Sequence, residues 1–506
     1  MRQPVANDTR IPIGQAWLRQ AFGLATPAPA VESCVISGAR RTEVHGARTI
    51  ELYPRQYATG DSLTSNLRFA LRHEPTDLGV MVATFKTAEP RDIEAWVRAE
   101  PTGAFSRRIW FLYETFTGRT LDVEDARTGN YVEALDPVRH IVGARRNSVR
   151  HRVIDNLLGG PGLCPTVRRT LLLKLQTESR LDEKAKALIE SYDPSLIARA
   201  ISFLYTKEAR SSFAIEGEKP SANRAERFVA ALKTAAAFDP TDKAALIRLQ
   251  GQIVDPRYAA ADWRDFQNFI GETVGGHREE VHFICPRPED VPTLMEGWMA
   301  LTRRMVDDEI DPVVAAALVA FAFVFIHPFE DGNGRIHRFL MHHILAKQGY
   351  GPPDIIFPAS ASIQRERRTY DEALESFSKP IAEFIQWRWT EKREIVVEND
   401  TSDLYRYFDA TALVECLYDS VVDTIDHDLP EELDFIAIFD RAYAEAREIV
   451  DMPDRRLSLL VRLCKQNNGR LSAAKRGLFA ELADQEVAAV ESAVQAAIRT
   501  ETSRGR

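Results

Sequence analysis

The rhythm of apolar positions changes along this chain and locates its elements. Val35 to Tyr53 alternates apolar and polar residues in short stretches, which predicts a few strands. From about Asp92 onward a helical period dominates. Val313 to Ile326 is an unbroken apolar run, too short to span a bilayer, and Asp311-Pro312 marks a helix start before it. It predicts a buried core helix. Ile336, Phe339, Leu340 and Ile344 then recur at helical spacing, and Gly349 stands where that second helix stops. A loop therefore joins two helices. Upstream, Asn268 to Ile284 alternates around Gly275-Gly276 and predicts a β-hairpin, with a further helix opening at Val291. Trp387 to Asp403 mixes charge with tryptophan and reads as an exposed junction, followed by helices. The expected fold is mainly α, a helical core with a small hairpin between a mixed N-terminal region and a helical C-terminal one. The expected divisions are 1–195, 196–395 and 396–506.

At 506 residues, two or three domains are expected. Hydrophobic content of 45% and charged content of 27% are those of a globular protein. The five cysteines, Cys34, Cys164, Cys285, Cys416 and Cys464, form no Cys-x-x-Cys pair. That suits a reducing cytoplasm and gives no zinc or disulfide framework. Met1 to Asp8 lacks a secretory hydrophobic region, and no stretch is long enough for a membrane helix. A net charge of −9 gives no overall attraction to nucleic acid or anionic membrane. Arg107-Arg108 and Arg145-Arg146 read as solvated basic pairs, and Gly159-Gly160-Pro161-Gly162 as a turn. No internal repeat or low-complexity tract stands out.

The chemistry concentrates in the loop, His327-Pro-Phe-Glu-Asp331-Gly332-Asn333-Gly334-Arg335-Ile-His-Arg338. Unpaired N–H groups and a positive dipole at the start of the second helix suit phosphate. Gly332 and Gly334 allow close backbone approach, and Arg335 and Arg338, three apart, share a helix face. A positioned histidine is the usual base for a weak hydroxyl nucleophile. No Gly-x-x-x-x-Gly-Lys-Ser/Thr loop is present, and Arg335 and Ile336 stand where a calcium loop needs an oxygen ligand and a glycine. His337, His342 and His343 read as packed or solvated rather than as metal ligands.

The loop resembles the Fic motif, His-x-Phe-x-Asp/Glu-Gly-Asn-Gly-Arg-x-x-Arg, at every defined position. The resemblance covers under half the chain. It implies a helical core and transfer of AMP from ATP to a Ser, Thr or Tyr hydroxyl of a target protein, with the chain itself as one candidate target. By resemblance, His327 is the base and Phe329 anchors the loop. Asp331 holds Mg²⁺; Gly332, Asn333 and Gly334 cradle the α- and β-phosphates; Arg335 meets the β-phosphate and Arg338 the γ-phosphate. Ser212-x-x-x-Glu216-Gly217 resembles the family's inhibitory signature, with Glu216 expected to pair with Arg338. The hairpin resembles the family's flap, which receives a target by strand addition. Where many relatives carry Tyr-Tyr and then Asn near the adenine, this chain has Tyr370-Asp371 and Ser378, leaving Tyr370 to stack on the base.

The resemblance also leaves the reverse reaction, removal of AMP, open. Arg455 to Cys464, Asn467-Asn468-Gly469 and Ser472 read as a helix–turn–helix carrying Arg462, Lys465, Arg470, Lys475 and Arg476. Docking on the core or on a second copy of the chain is its favoured role; a nucleotide-sensing regulator that binds DNA or a partner through these helices is the alternative.

Overall fold

The structure is a computed structural model that describes residues 10–46, 48–275, 278–351 and 355–504. Met1 to Asp8, and Gly276 at the hairpin turn, lie outside the described residues. The fold is mainly α with a few small sheets. Its residues group into two compact units: Met1–Arg180, Ser212–Tyr350 and Ile363–Asp419 in the first, Leu181–Ser211, Gly351–Ser362 and Ser420–Arg506 in the second. Among the described residues no helix is long and apolar enough to cross a membrane.

The first unit begins with a four-stranded sheet in the spatial order Ile11–Ile13, Val31–Ile36, Arg48–Pro54, Arg41–His45. The two central strands are parallel and the outer pairings antiparallel. The alternation between Val35 and Tyr53 is the sequence trace of this sheet. Helices begin earlier than the sequence rhythm indicates. Leu63–His73 is capped by Ser62, and Leu78–Thr87 by Asp77, each side chain accepting a backbone N–H of the first turn. Pro90–Ala99 and Ala104–Thr117 complete the group around Leu67, Met81, Ile93, Trp110 and Leu112. The helical period then fails. Residues 118–170 carry strands of two or three residues, Val132–Glu133, His140–Ile141, Arg146–Ser148, Val153–Asp155 and Val167–Arg168. Strands this short show no usable alternation, and backbone pairing with distant residues decides them.

Arg107 and Arg108 are buried rather than solvated. Arg108 donates to the carbonyls of Ala134 (3.1 Å) and Leu71 (3.4 Å), and Arg107 to that of Arg152 (2.9 Å). Carbonyl acceptors make their burial tolerable. Gly160 and Leu163 close the expected turn.

The part of the first unit that carries the loop is built on Val291–Asp307, Pro312–Ile326, Asn333–Lys347 and Arg367–Ala382. Asp311 caps the apolar helix by accepting from Val313 and Val314 N–H, and every residue from Val313 to Ile326 is buried. Trp298 Nε1 donates to Val319 O (2.8 Å), satisfying the indole in an otherwise apolar contact. Phe269–Val274 pairs antiparallel with Arg278–Ile284, with a register shift between Ile270 and Gly271. The stretch from Trp387 is not a plain junction: Trp387–Trp389 pairs with Ile395–Val397, and Trp389 meets Phe269 edge-on at 5.5 Å.

In the second unit, Leu429–Ile449, Asp454–Gln466 and Asp484–Arg504 enclose Ala442, Ala446, Leu460, Val461, Phe479 and Val490. Ser472 starts a helix of four residues only, Ala473–Arg476. The second helix of the expected helix–turn–helix is therefore a single short turn. Arg476 pairs with Asp484 (2.8 Å), and the Lys465 ammonium sits 3.8 Å from the centroid of the Phe435 ring.

Candidate functional site

His327 is the C-cap of the apolar helix, in the left-handed region at φ 53°, ψ 58°. Its Nδ1 lies 3.1 Å from Val324 O. A carbonyl can only accept, so Nδ1 carries the proton and Nε2 keeps its lone pair. Burial pushes the imidazole pKa down to about 4, which keeps it neutral near pH 7. In this tautomer the ring can accept a proton at Nε2.

Phe329 is fully buried against Trp263 (5.2 Å) and Phe323 (6.4 Å), as an anchor must be. Asn333 does more than line a cradle. Its Oδ1 accepts Phe329 N–H (3.1 Å) and its Nδ2 donates to Phe329 O (2.8 Å), so the side chain staples the loop across its own width. Gly332 is the N-cap of Asn333–Lys347 at φ 90°, and a Cβ there would come within 2.8 Å of Val254 Cγ1. Both facts require glycine. The first N–H groups of this helix have no intrahelical acceptor, which suits an anion.

Arg335 and Arg338 are both buried. One carboxylate spans them: Glu216 Oε2 is 2.9 Å from Arg335 Nε, and Glu216 Oε1 is 2.6 Å from Arg338 Nη2. The sequence led us to expect the Arg338 pair alone. Arg338 also donates to Ser212 Oγ (2.6 Å) and Ser212 O (2.8 Å). Arg335 is further held by Asp331 Oδ1 (2.6 Å), Glu218 Oε1 (3.4 Å) and Ile253 O (3.1 Å). A Cβ on Gly334 would lie 2.5 Å from Glu216 Oε1, so the carboxylate rests on the first turn of the helix. A charge-assisted hydrogen bond such as that from Arg338 Nη2 to Glu216 Oε1 is worth about 1.5–3 kcal/mol.

Glu216 reaches this position because its helix, Pro194–Ile215, stops one residue earlier. Gly217 adopts φ 72°, its N–H meets Ala214 O (3.0 Å) and Glu218 N–H meets Phe213 O (3.1 Å). That is a Schellman ending, and Arg367 Nη1 also donates to Ile215 O.

Asp331 Oδ1 accepts Gly332 N–H (2.6 Å) as well as Arg335, and its side chain is 34% exposed. No group of three or more His, Cys, Asp or Glu residues that could hold a metal occurs among the described residues. Mg²⁺ does not need one, since it commonly takes one carboxylate together with substrate phosphates and waters. A partly exposed carboxylate at the start of this helix fits that donor set.

Tyr370 does not present a ring free to stack on a base. It is buried 6.1 Å from Phe321 and 6.2 Å from His337, and burial pushes its phenol up to about 12. His337, His342 and His343 are packed, with His343 Nδ1 2.7 Å from Ala235 O. Three residues with no motif to announce them also shape the site. Gln250 donates to Asp331 O (3.1 Å) and Tyr258 O (2.9 Å). Glu218 is a third carboxylate on Arg335, after Glu216 and Asp331, and Arg264 binds His327 O (2.8 Å). Only the proximity of Glu218 to Glu216 in the sequence could have drawn attention to one of them.

The Fic/DOC family profile matches residues 240–345. A protein adenylyltransferase Fic of Culex quinquefasciatus is 38% identical over 118 residues, 22% of this chain and 21% of that protein. A protein adenylyltransferase Fic of Drosophila mojavensis is 36% identical over 116 residues, 22% of this chain and 20% of its own length. The chain thus spans about a fifth of the length of the curated relatives it matches. A Fic family protein structure from Desulfovibrio desulfuricans is similar at 18% identity and a TM-score of 0.38, over 60% of this chain and 89% of that one. With the motif complete and its loop set between two helices, residues 240–345 of this chain are a Fic domain.

Proposed function

We propose that this chain is a protein adenylyltransferase that moves AMP from ATP to a Ser, Thr or Tyr hydroxyl of a target protein and is held back by Glu216. The observation that carries the reading is a neutral His327 with Nε2 free, on the same loop as two buried arginines and an open helix N-terminus. His327 Nε2 takes the hydroxyl proton. The oxygen attacks the α-phosphorus, the bond from that phosphorus to the β-bridging oxygen breaks, and pyrophosphate leaves. The N–H groups at the start of Asn333–Lys347 receive the α- and β-phosphates, and Arg335 and Arg338 the β- and γ-phosphates. Mg²⁺, when bound with ATP, neutralises charge on the phosphate oxygens, and Asp331 would hold it. The hairpin Phe269–Ile284, with exposed Ile270 and Val274, supports a target segment added as a strand.

Glu216 occupies both arginines as a substitute anion. ATP must displace it before the terminal phosphates can settle. The deciding experiment incubates wild type, Glu216→Gly and Glu216→Gly/His327→Ala with α-labelled ATP, Mg²⁺ and a cell lysate. Labelled protein should be faint with wild type, strong with the single variant and absent with the double. A strong signal from the double variant overturns the assignment of the base. No signal from any of the three overturns the activity.

A further inference from the structure

Arg264 precedes the hairpin, is buried, and directs its whole guanidinium at main-chain carbonyls. Nε donates to His327 O (2.8 Å) and Nη2 approaches Ile326 O (3.4 Å), both at the end of the apolar helix. Nη1 donates to Phe266 O (2.8 Å) and Nη2 to Pro286 O (2.6 Å), one on each stem of the hairpin. The backbone N–H of Arg264 adds a bond to Pro328 O (2.8 Å). The hairpin base is closed around this group by Gln267 Nε2 on Cys285 O (2.7 Å) and Cys285 N–H on Asn268 O (3.2 Å).

Two physical needs meet here. The last carbonyls of a helix have no intrahelical donor and form its negative end, where a cation is favoured. His327 also holds a left-handed backbone that residues with a side chain rarely adopt, so something outside the helix must keep it there. A planar fork with fixed donor directions does both, and a lysine ammonium cannot reach four carbonyls in that geometry.

We propose that Arg264 is a positioning residue that fixes His327 relative to the hairpin Phe269–Ile284, so that a target segment held by the hairpin brings its hydroxyl to the imidazole. The fixing of loop and hairpin stands on geometry; the consequence for transfer rests on the adenylyltransferase reading. Arg264 touches neither substrate nor the reacting atoms. Its loss should spare ATP binding, which belongs to the other end of the loop, and lower the rate of transfer.

The test uses the full chain with Arg264→Lys and Arg264→Met, each added to Glu216→Gly. A misplacement of about 1 Å costs about 10²-fold in rate, so both variants should lose roughly that factor in kcat while KM for ATP stays within about twofold. Full activity in Arg264→Lys, or a raised KM at unchanged kcat, overturns the proposal. Amide hydrogen exchange without nucleotide supplies a second readout that needs no catalysis. Residues 265–270, 283–286 and 326–329 should loosen together in both variants while Asn333–Lys347 stays protected. Loosening of the hairpin stems alone, or of the loop alone, overturns the coupling. A parent that transfers no AMP sinks the adenylyltransferase reading, and the exchange pattern still decides whether Arg264 joins the two segments.

Discussion

Two pairs of buried arginines in the first unit have opposite partners. Arg107 and Arg108 bind main-chain carbonyls of Arg152, Ala134 and Leu71. Arg335 and Arg338 bind mainly carboxylates, those of Glu216, Glu218 and Asp331. A carbonyl is part of the fold and cannot be exchanged. A carboxylate on a short turn can be replaced by another anion of similar shape, and phosphate is one. Burial pushes Arg108 down to about 10, which is what a guanidinium among neutral acceptors should experience. Burial alone therefore does not mark a candidate anion-binding arginine; the charge of its partners does. Arg264 belongs with the first kind, although it sits beside His327.

The strongest way to break the contrast is to remove the base that makes the second pair useful. In a Glu216→Gly chain, His327→Ala should lower AMP transfer about 10²–10⁴-fold. Nucleotide binding, measured by fluorescence titration with an ATP analogue, should hold. Equal transfer rates would leave the motif arginines with no chemistry to serve.

Next in size is the substitute anion itself. Glu216→Gln keeps the length of the side chain and removes its charge, and so should raise transfer roughly 10–150-fold, the factor that corresponds to about 1.5–3 kcal/mol. Adding Arg338→Met should silence it again. Wild-type activity already equal to that of Glu216→Gln would reduce the ion pair to a helix ending.

A direct contrast of the two pairs comes from Arg108→Met and Arg338→Met. The first strands buried carbonyls and should lower unfolding stability by about 1–3 kcal/mol in urea titration, with ATP affinity unchanged. The second should abolish ATP affinity. If Arg108→Met weakened ATP binding as much, the distinction drawn from partner charge would fail.

The smallest effect is in pH. The His327 pKa is lowered from its ordinary value of 6.5 to about 4. The base therefore stays unprotonated well below neutrality, and kcat/KM for Glu216→Gln should show no inflection near pH 6.5. The unfolded chain binds a proton there near pH 6.5 and the folded chain does not. The stability this group preserves is thus full above about 6.5 and is lost as pH falls towards about 4. An acid limb centred at 6.5 would mean an exposed imidazole.

Local rules made the loop legible. Asp311 announced the cap it provides, the run from Val313 to Ile326 its burial, and Gly332 the close approach it allows. Alternation found the hairpin and the part of the N-terminal sheet between Val35 and Tyr53, but not its strand Ile11–Ile13. It failed between Gly118 and Thr170, where strands are too short to carry a period. The junction from Trp387 became a hairpin for the same reason, since three residues on each side cannot show alternation. A basic pair looks the same in sequence whether it is solvated or buried, and only the fold buries Arg107 and Arg108.

What the sequence laid out by itself is the set of groups for the proposed chemistry: a histidine, a carboxylate, two glycines and two arginines, in order because neighbouring residues must share one turn. Tertiary structure alone decided the partners. It set Glu216 across both arginines, buried Tyr370 and His337, and placed Arg264 between the loop and the hairpin. Spacing along a chain constrains what meets within a helical turn or two. Contacts between residues a hundred positions apart depend on how helices pack, and no local pattern encodes that.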